Sequence, residues 1–390
     1  MHYLFEDHAL DTDRRELRRN RELVGVEPQV FDLIEYLIRN RTRVVSKDEL
    51  LSAVWKGRIV SESALTTRLN GARVAVGDSG EEQRLIKTLP RKGFRFVGNI
   101  DERGMPVAPE RSRAQQISFC RTEDGYNIAM ARVGEGSTLV RATTWLNHLE
   151  YEWDDPIRGP LLRFLAGRHD FVRYDGRGNG LSDRGVDELS ITTFERDLDA
   201  VVGAMKLQRY AIFGISQGGP TAIAHAVRYP ERVTKLVIYG SYARGRNKRI
   251  SAKEKEVAQA YLTLMRHGWG DENSAFIRTF SRMFAPNASA EQIKAFATVQ
   301  RLATSPENAV RLRSAVDDLD VDDLLPRVSV PTLVIHARHD QTSPFDEGRR
   351  LAAGIPNARF VSLESENHMP TPDDPEWEKF TGEIESFLAS

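Results

Sequence analysis

Gly214-Ile215-Ser216-Gln217-Gly218 sets a serine between glycines, directly after the apolar run Tyr210-Ala211-Ile212-Phe213 and before a helix-forming stretch, Pro220 to Tyr229. A serine at such a strand-to-helix corner is held in a strained turn, which requires small neighbours and leaves the hydroxyl exposed for chemistry. A hydroxyl is a poor nucleophile until an imidazole takes its proton, and a carboxylate on the other ring nitrogen fixes the imidazole's tautomer. Two later residues supply these groups. Asp340 follows the apolar run Thr332-Leu333-Val334-Ile335-His336, ahead of a helix starting near Pro344. His368 follows Phe360-Val361-Ser362-Leu363, just before the last helix. The set predicts acyl transfer, with Ser216 as nucleophile, Asp340 as acid and His368 as base. His336 and His339 read as packing or surface residues. Their spacing with Asp340 resembles a metal site, but no second ligand cluster accompanies it, so neither a metal nor a cofactor is expected.

The elements that must position these residues alternate along the chain. Ile117–Arg121 and Asn127–Val133 read as a hairpin and Thr138–Thr144 as the next strand. Phe171–Tyr174, Tyr210–Ile215, Lys235–Tyr239, Thr332–His336 and Arg359–Leu363 follow, with helices between most of them. The pattern predicts an α/β domain over residues 117–390, built on a mostly parallel, doubly wound sheet. A long insertion, about 241–326, carries Leu262, Met265, Trp269, Phe276, Phe280, Met283 and Phe284 at helical spacings. It is expected to form a helical lid over the serine, with Trp145, Met265, Trp269 and Phe280 lining an apolar ligand pocket.

A chain of 390 residues is long enough for two domains with separate cores. Lys plus Arg is 55 and Asp plus Glu is 56, so net charge is uninformative about nucleic acid. Its distribution is more useful: residues 47–99 hold 10 basic and 6 acidic side chains. A single cysteine, Cys120, excludes an internal disulfide and fits a reducing cytoplasm. No apolar run approaches the roughly 20 residues that span a bilayer, and Met1 to Asp7 lacks a secretory pattern.

In the first hundred residues, Tyr3–Leu10, Arg14–Arg18 and Glu22–Val26 alternate and predict a small antiparallel sheet. Pro28 opens a helix that buries Phe31, Leu33, Ile34, Leu37 and Ile38. Ser46 with Glu49 is a capping box for a second helix, whose inner side is Leu50, Leu51, Val54 and Trp55. A third helix is expected from about Ser61 to Val76, then a hairpin from Leu85 to Val97 with the basic tip Pro90-Arg91-Lys92-Gly93.

Tyr3 to Gly98 resembles the winged helix-turn-helix domain of OmpR/PhoB-type response regulators, more closely the CadC/ToxR-like branch. The resemblance lies in Val44-Val45-Ser46-Lys47-Asp48-Glu49-Leu50 with Trp55, in Val60-Ser61-Glu62-Ser63-Ala64-Leu65-Thr66-Thr67-Arg68-Leu69, and in Ile86-Lys87-Thr88 with Gly93-Phe94-Arg95-Phe96. It implies a third helix in the DNA major groove and a hairpin at an adjacent groove or the backbone. With Leu65, Leu69, Ala72 and Val76 inward, Ser63, Thr66, Thr67 and Asn70 are expected at base edges. Arg68, Arg73, Arg91, Lys92 and Arg95 are expected at phosphates.

From about Ile117 to Leu388 the chain resembles the α/β-hydrolase fold, through the serine corner and the turn Asp175-Gly176-Arg177-Gly178-Asn179-Gly180-Leu181-Ser182. That turn is structural. The resemblance implies the order serine, acid, histidine found here, and an oxyanion donor at the Gln217 N–H. Active members usually carry His-Gly before the oxyanion loop, whereas Thr144 is followed by Trp145-Leu146-Asn147-His148-Leu149. Leu146 or Asn147 is the expected substitute donor; losing one donor costs about a hundred- to thousand-fold in turnover.

Together these readings predict a DNA reader (1–100), a polar linker (101–116) and a hydrolase-like domain (117–390). With no receiver domain or membrane helix in view, a signal is expected to arrive through the rest of the chain. The expected function is a cytoplasmic, homodimeric one-component transcription regulator, binding double-stranded DNA and a small, partly apolar ligand. The alternative is an active serine hydrolase of esters, lactones or amides with an appended DNA-binding domain.

Overall fold

Contacts divide the chain into two units, residues 1–111 and 112–390. The computed structural model describes the chain apart from Met1, Asp13, Arg14, Arg21, residues 56–61, Arg91, Asn99, residues 103–114 and residues 272–273.

In the first unit, the expected strand Tyr3–Leu10 is two strands. β1 (His2–Phe5) and β2 (His8–Asp11) pair antiparallel, with Tyr3 opposite Leu10. Glu6 takes a φ of +49° at the turn, a conformation that no glycine or asparagine announces. β3 (Glu16–Arg19) and β4 (Glu22–Val24) continue the sheet. α1 (Pro28–Arg39), α2 (Lys47–Trp55) and α3 (Glu62–Ala75) follow, and Leu65, Leu69, Ala72 and Val76 are buried as their spacing requires. β5 (Ile86–Leu89) and β6 (Gly93–Phe96) form the hairpin. Gly93 has a φ of +131°, and a side chain there would strike the Val45 carbonyl. Val45 and Phe94 exchange two 2.8 Å backbone hydrogen bonds, pinning the hairpin to the loop before α2.

The stretch expected as linker is shorter than its composition suggests. β7 (Asp101–Glu102) pairs with β1, and at the other end the Gln115 side chain donates to the Leu149 carbonyl at 2.7 Å. The stretch between, residues 103–114, lies outside the described residues.

The second unit runs β8 (Gln116–Arg121), β9 (Asn127–Val133), β10 (Thr138–Ala142), α4 (Tyr151–Asp154), α5 (Gly159–Ala166), β11 (Asp170–Tyr174), α6 (Ile191–Ala204) and β12 (Tyr210–Ile215). α7 (Gly218–Arg228), β13 (Val233–Tyr239), α8 (Ala252–Gly268), α9 (Ala275–Arg282), α10 (Ala290–Ala303) and α11 (Pro306–Asp318) come next. β14 (Thr332–Ala337), α12 (Phe345–Gly354), β15 (Arg359–Leu363) and α13 (Trp377–Ala389) complete it. The eight strands order as β15-β14-β13-β12-β10-β11-β9-β8. Pairings from β15 to β11 are parallel; β9 and β8 are antiparallel.

The period-two alternation of the central strands divides the core. Phe213, Val237, Tyr239, Leu333 and Ile335 face a layer with α5, α13 and the inserted helices α8–α11. Ile212, Leu236, Ile238 and Val334 face α6, α7 and α12. Both faces are covered, which is why these strands read as continuous apolar runs.

One buried carboxylate organises the end of α3 and the start of the hairpin. Asp78 accepts from the backbone N–H groups of Ser79, Arg84, Leu85 and Ile86 at 2.8–2.9 Å. Burial alone would raise its pKa, but the four donors outweigh that and hold it below the ordinary carboxylate value. Because the folded value is depressed, the stabilisation is present above the unfolded carboxylate pKa of about 3.9 and fades as pH falls through the folded value. Asp78→Asn is expected to cost about 1–3 kcal/mol at neutral pH. It should speed amide exchange at Leu85 and Ile86, and the gap from wild type should narrow in acid.

Candidate functional site

Ser216 sits at the corner between β12 and α7 with a φ of +53°. For a non-glycine residue this is a costly conformation that surrounding structure must enforce. Its N–H donates to the Tyr239 carbonyl at 2.9 Å, and its carbonyl accepts from Ser241 Oγ at 2.6 Å and from the Gly219 N–H at 3.0 Å. The corner is tightly enclosed: a Cβ on Gly219 would collide with Ser241 Oγ and lie 2.7 Å from its Cβ.

Asp340 and His368 come together from the ends of β14 and β15. His368 Nδ1 lies 2.6 Å from Asp340 Oδ2, and both side chains are buried. The other carboxylate oxygen accepts from the Thr342 and Ser343 N–H groups at 2.7 and 2.9 Å. With Nδ1 on the carboxylate, His368 Nε2 is buried without a hydrogen-bond partner. The loop carrying His368 is braced by Asp374, which accepts from Ser365 Oγ at 2.5 Å and Asn367 Nδ2 at 2.8 Å. Asp374 is a supporting residue that the sequence reading missed. His336 is buried and its Nε2 donates to the Ser343 carbonyl at 2.9 Å, whereas His339 is exposed beside Glu364.

The loop after β10 corrects one expectation. Asn147 is not available as an oxyanion donor, because its Nδ2 donates to the Tyr174 carbonyl at 2.9 Å and to Asp175 Oδ1 at 2.5 Å. Leu146 is fully buried and does not line the cavity beside the serine. Trp145 does, together with Ser216 and Gln217. Neither the Gln217 nor the Trp145 backbone N–H donates a hydrogen bond among the described residues.

The cavity also differs from the expected apolar pocket. Met265, Trp269 and Phe280 are buried in the core of the inserted helices, where Trp269 and Phe280 pack edge-on to Trp145 at 5.8 and 5.6 Å. The lining is Trp145, Tyr242, Phe284 and Val316 with Arg246, Arg249, Arg313 and Asp317. Phe284 also stands edge-on to the His368 ring at 5.6 Å.

On the first unit, Ser63, Thr66, Thr67 and Asn70 are exposed along one side of α3. Val74, 76% exposed, extends that stripe and was missed because an apolar residue does not look like a surface contact. Two expected phosphate contacts are otherwise engaged. Arg73 is buried and donates to the Ile86 carbonyl at 3.0 Å and Thr88 Oγ1 at 2.7 Å, so it braces the hairpin. Arg68 pairs with Glu27 and donates to Gln29 Oε1 at 3.1 Å. Lys92 is exposed, and so is Arg95, whose Nε donates to the Arg41 carbonyl at 2.9 Å; Arg91 lies outside the described residues.

The crowding at the corner gives a direct test. Gly219→Ala must displace Ser241 and is expected to cost about 1–3 kcal/mol. Adding Ser241→Gly to that variant should recover part of the loss, read as the melting temperature of the second unit.

Comparison with known proteins agrees with this fold. Residues 20–96 match the family model described as transcriptional regulatory protein, C terminal. The AB hydrolase superfamily protein YisY of Bacillus subtilis is 26% identical over 258 residues, covering 64% of this chain and 91% of that protein. A putative carbamate hydrolase RutD of Azorhizobium caulinodans is 29% identical over 217 residues, covering 53% and 76%. Among solved structures, an esterase from Exiguobacterium antarcticum superposes with a TM-score of 0.60 at 24% identity, covering 70% of this chain and all of the esterase. Residues 147–375, the stretch that carries Ser216, Asp340 and His368, match the model of the alpha/beta hydrolase fold, and by that match the chain belongs to this family.

Proposed function

We propose that this chain is a one-component transcription regulator that reads duplex DNA through residues 1–100 and responds to a small molecule that its hydrolase-fold domain (117–390) binds and cleaves. One observation carries the reading: a regulator-type DNA-binding match at 20–96 shares a chain with a buried His368–Asp340 pair and a strained Ser216. In the first unit, three helices followed by a hairpin support a winged helix-turn-helix arrangement, with α3 as the groove-entering helix. Thr67 and Asn70 are then base-edge readers, and Lys92 and Arg95 phosphate contacts. Among the described residues no helix is long and apolar enough to cross a membrane, and a DNA reader works where the chromosome is, so the proposal includes a cytoplasmic location. It also includes a homodimer, since two half-sites multiply the specificity of one small reader.

In the second unit, the inserted helices act as a lid. Ser216 Oγ attacks an ester or lactone carbonyl while His368 Nε2 takes the hydroxyl proton. Asp340 holds the Nδ1–H and stabilises the imidazolium, and the N–H groups of Gln217 and Trp145 receive the carbonyl oxygen as it becomes an oxyanion. The alcohol leaves with the proton from His368. Water, deprotonated by the same imidazole, then releases the acid from Ser216. A ligand regulates DNA binding only if it binds the two states of the protein with different affinities.

Two measurements test the halves separately. Selection of random duplexes with the full-length chain should enrich one sequence family. Asn70→Ala is expected to weaken binding to that family by about 1–3 kcal/mol, whereas Lys92→Ala should weaken all duplexes and lower the salt slope by about 1. No enrichment over nonspecific background sinks the DNA-reading half. A fluorophosphonate probe should label Ser216 in the wild type, with labelling about ten-thousand-fold slower in Asp340→Asn. Absence of labelling together with no hydrolysis across an ester panel sinks the catalytic half.

A further inference from the structure

The cavity beside Ser216 carries more positive charge than its surroundings neutralise. Three arginines and a single carboxylate line it. Asp317 is shared: it accepts from Arg246 at 2.6 Å and forms a two-pronged pair with Arg313 at 2.9 and 3.2 Å. Arg249 has no share in it. Among the described residues its guanidinium makes no ion pair and no hydrogen bond, only a ring contact 5.6 Å above Tyr242. The nearby Glu347 is committed elsewhere, accepting from Arg244 at 2.9 Å and from the Ala243 and Arg244 N–H groups at 3.2 Å.

The unpartnered atoms point the same way. Arg246 Nε, Arg249 Nη1 and Trp145 Nε1 are buried donors without acceptors, against one buried acceptor without a donor, Gln217 Oε1. Burial without a partner costs a polar group of order 1–3 kcal/mol and a charged group more. What the cavity lacks is therefore an acceptor bearing negative charge. Burial pulls both Arg246 and Arg249 below the ordinary arginine value, although arginine stays protonated at physiological pH.

We propose that the ligand of this site carries an anionic oxygen head group, a carboxylate or a phosphate, seated on Arg249 with Arg246 and Arg313 while its carbonyl faces Ser216. This rests on the serine-centred reading of the pocket given above. The two guanidinium groups nearest in sequence, Arg246 and Arg249, come from the segment after β13, and Arg313 from α11. All three belong to the insertion, so the insertion supplies head-group recognition while the sheet supplies the nucleophile. A guanidinium fork matches a two-oxygen acceptor, which a neutral ester of the same size cannot offer.

The test uses the full-length chain carrying Ser216→Ala, which retains the pocket without turnover. Calorimetric titration compares monomethyl glutarate, propyl phosphate and the neutral methyl butyrate. A charged probe is expected to bind about ten-fold or more tightly than methyl butyrate, the scale of one charge-assisted hydrogen bond. The ranking of glutarate ester against phosphate identifies the head group. Arg249→Gln in the same background should abolish the preference, and Arg249→Lys, which keeps the charge, should retain part of it. Equal affinities, binding of none of the probes, or a preference that survives Arg249→Gln overturns the proposal. Fluorophosphonate labelling of the chain with Ser216 intact reads the serine site independently. Labelling without charge preference removes the anion site alone, and charge preference without labelling removes the catalytic reading alone.

Discussion

The loops at one edge of the serine cavity hang on the carboxylate of Asp175. From the end of β11 it accepts from Asn147 Nδ2, from the Leu149 N–H at 3.2 Å and from the Leu181 N–H at 2.9 Å. One buried group thus ties the loop after β10 to the turn after β11. The same turn holds Trp145 in place, because Asn179 Nδ2 donates to its carbonyl at 3.1 Å. Farther along, Arg177 spans Asp197 and Asp124 and anchors the turn to α6 and to the hairpin between β8 and β9. A loop without glycine is held here by hydrogen bonding rather than by backbone geometry, and those bonds fix the Trp145 part of the cavity lining.

The parts of this site that could be read in the sequence are those set by local pattern. The corner around Ser216 combines an apolar strand, small neighbours and a helix start within about fifteen residues. Asp340 and His368 each follow an apolar strand, so their placement at one end of the sheet follows from the topology. Asn147 was misassigned because its partner, Asp175, lies almost thirty residues away, in the turn after β11. The amide was counted as free when the fold had already engaged it.

The arginines of the cavity were beyond the reach of pattern. Arg246 and Arg249 sit in a basic segment that resembles any solvated loop, and Arg313 lies on a helix more than sixty residues later. No periodicity links them, and only the packing of the insertion brings them to one wall. Arg73 shows the opposite error. It falls four residues after Leu69, on the inward stripe of α3, but its charge suggested an outward role. Burial became affordable because the Ile86 carbonyl and Thr88 hydroxyl accept its donors. A basic residue in a DNA-reading unit can serve the architecture rather than the nucleic acid.

The space beside Ser216 is small, about 20 Å³, which is room for about one water molecule. With Trp145 and Phe284 in these positions the space admits little more than water, so under the proposed reading entry and exit of an ester would both require the lining to shift. Occupancy is then governed by how often that barrier is crossed, a process of microseconds to milliseconds or slower. Such a site has a clock as well as an affinity. On the reading proposed above, a guest once enclosed would outlast brief dips in its concentration outside, and cleavage at Ser216 would supply a second way for the occupied state to end.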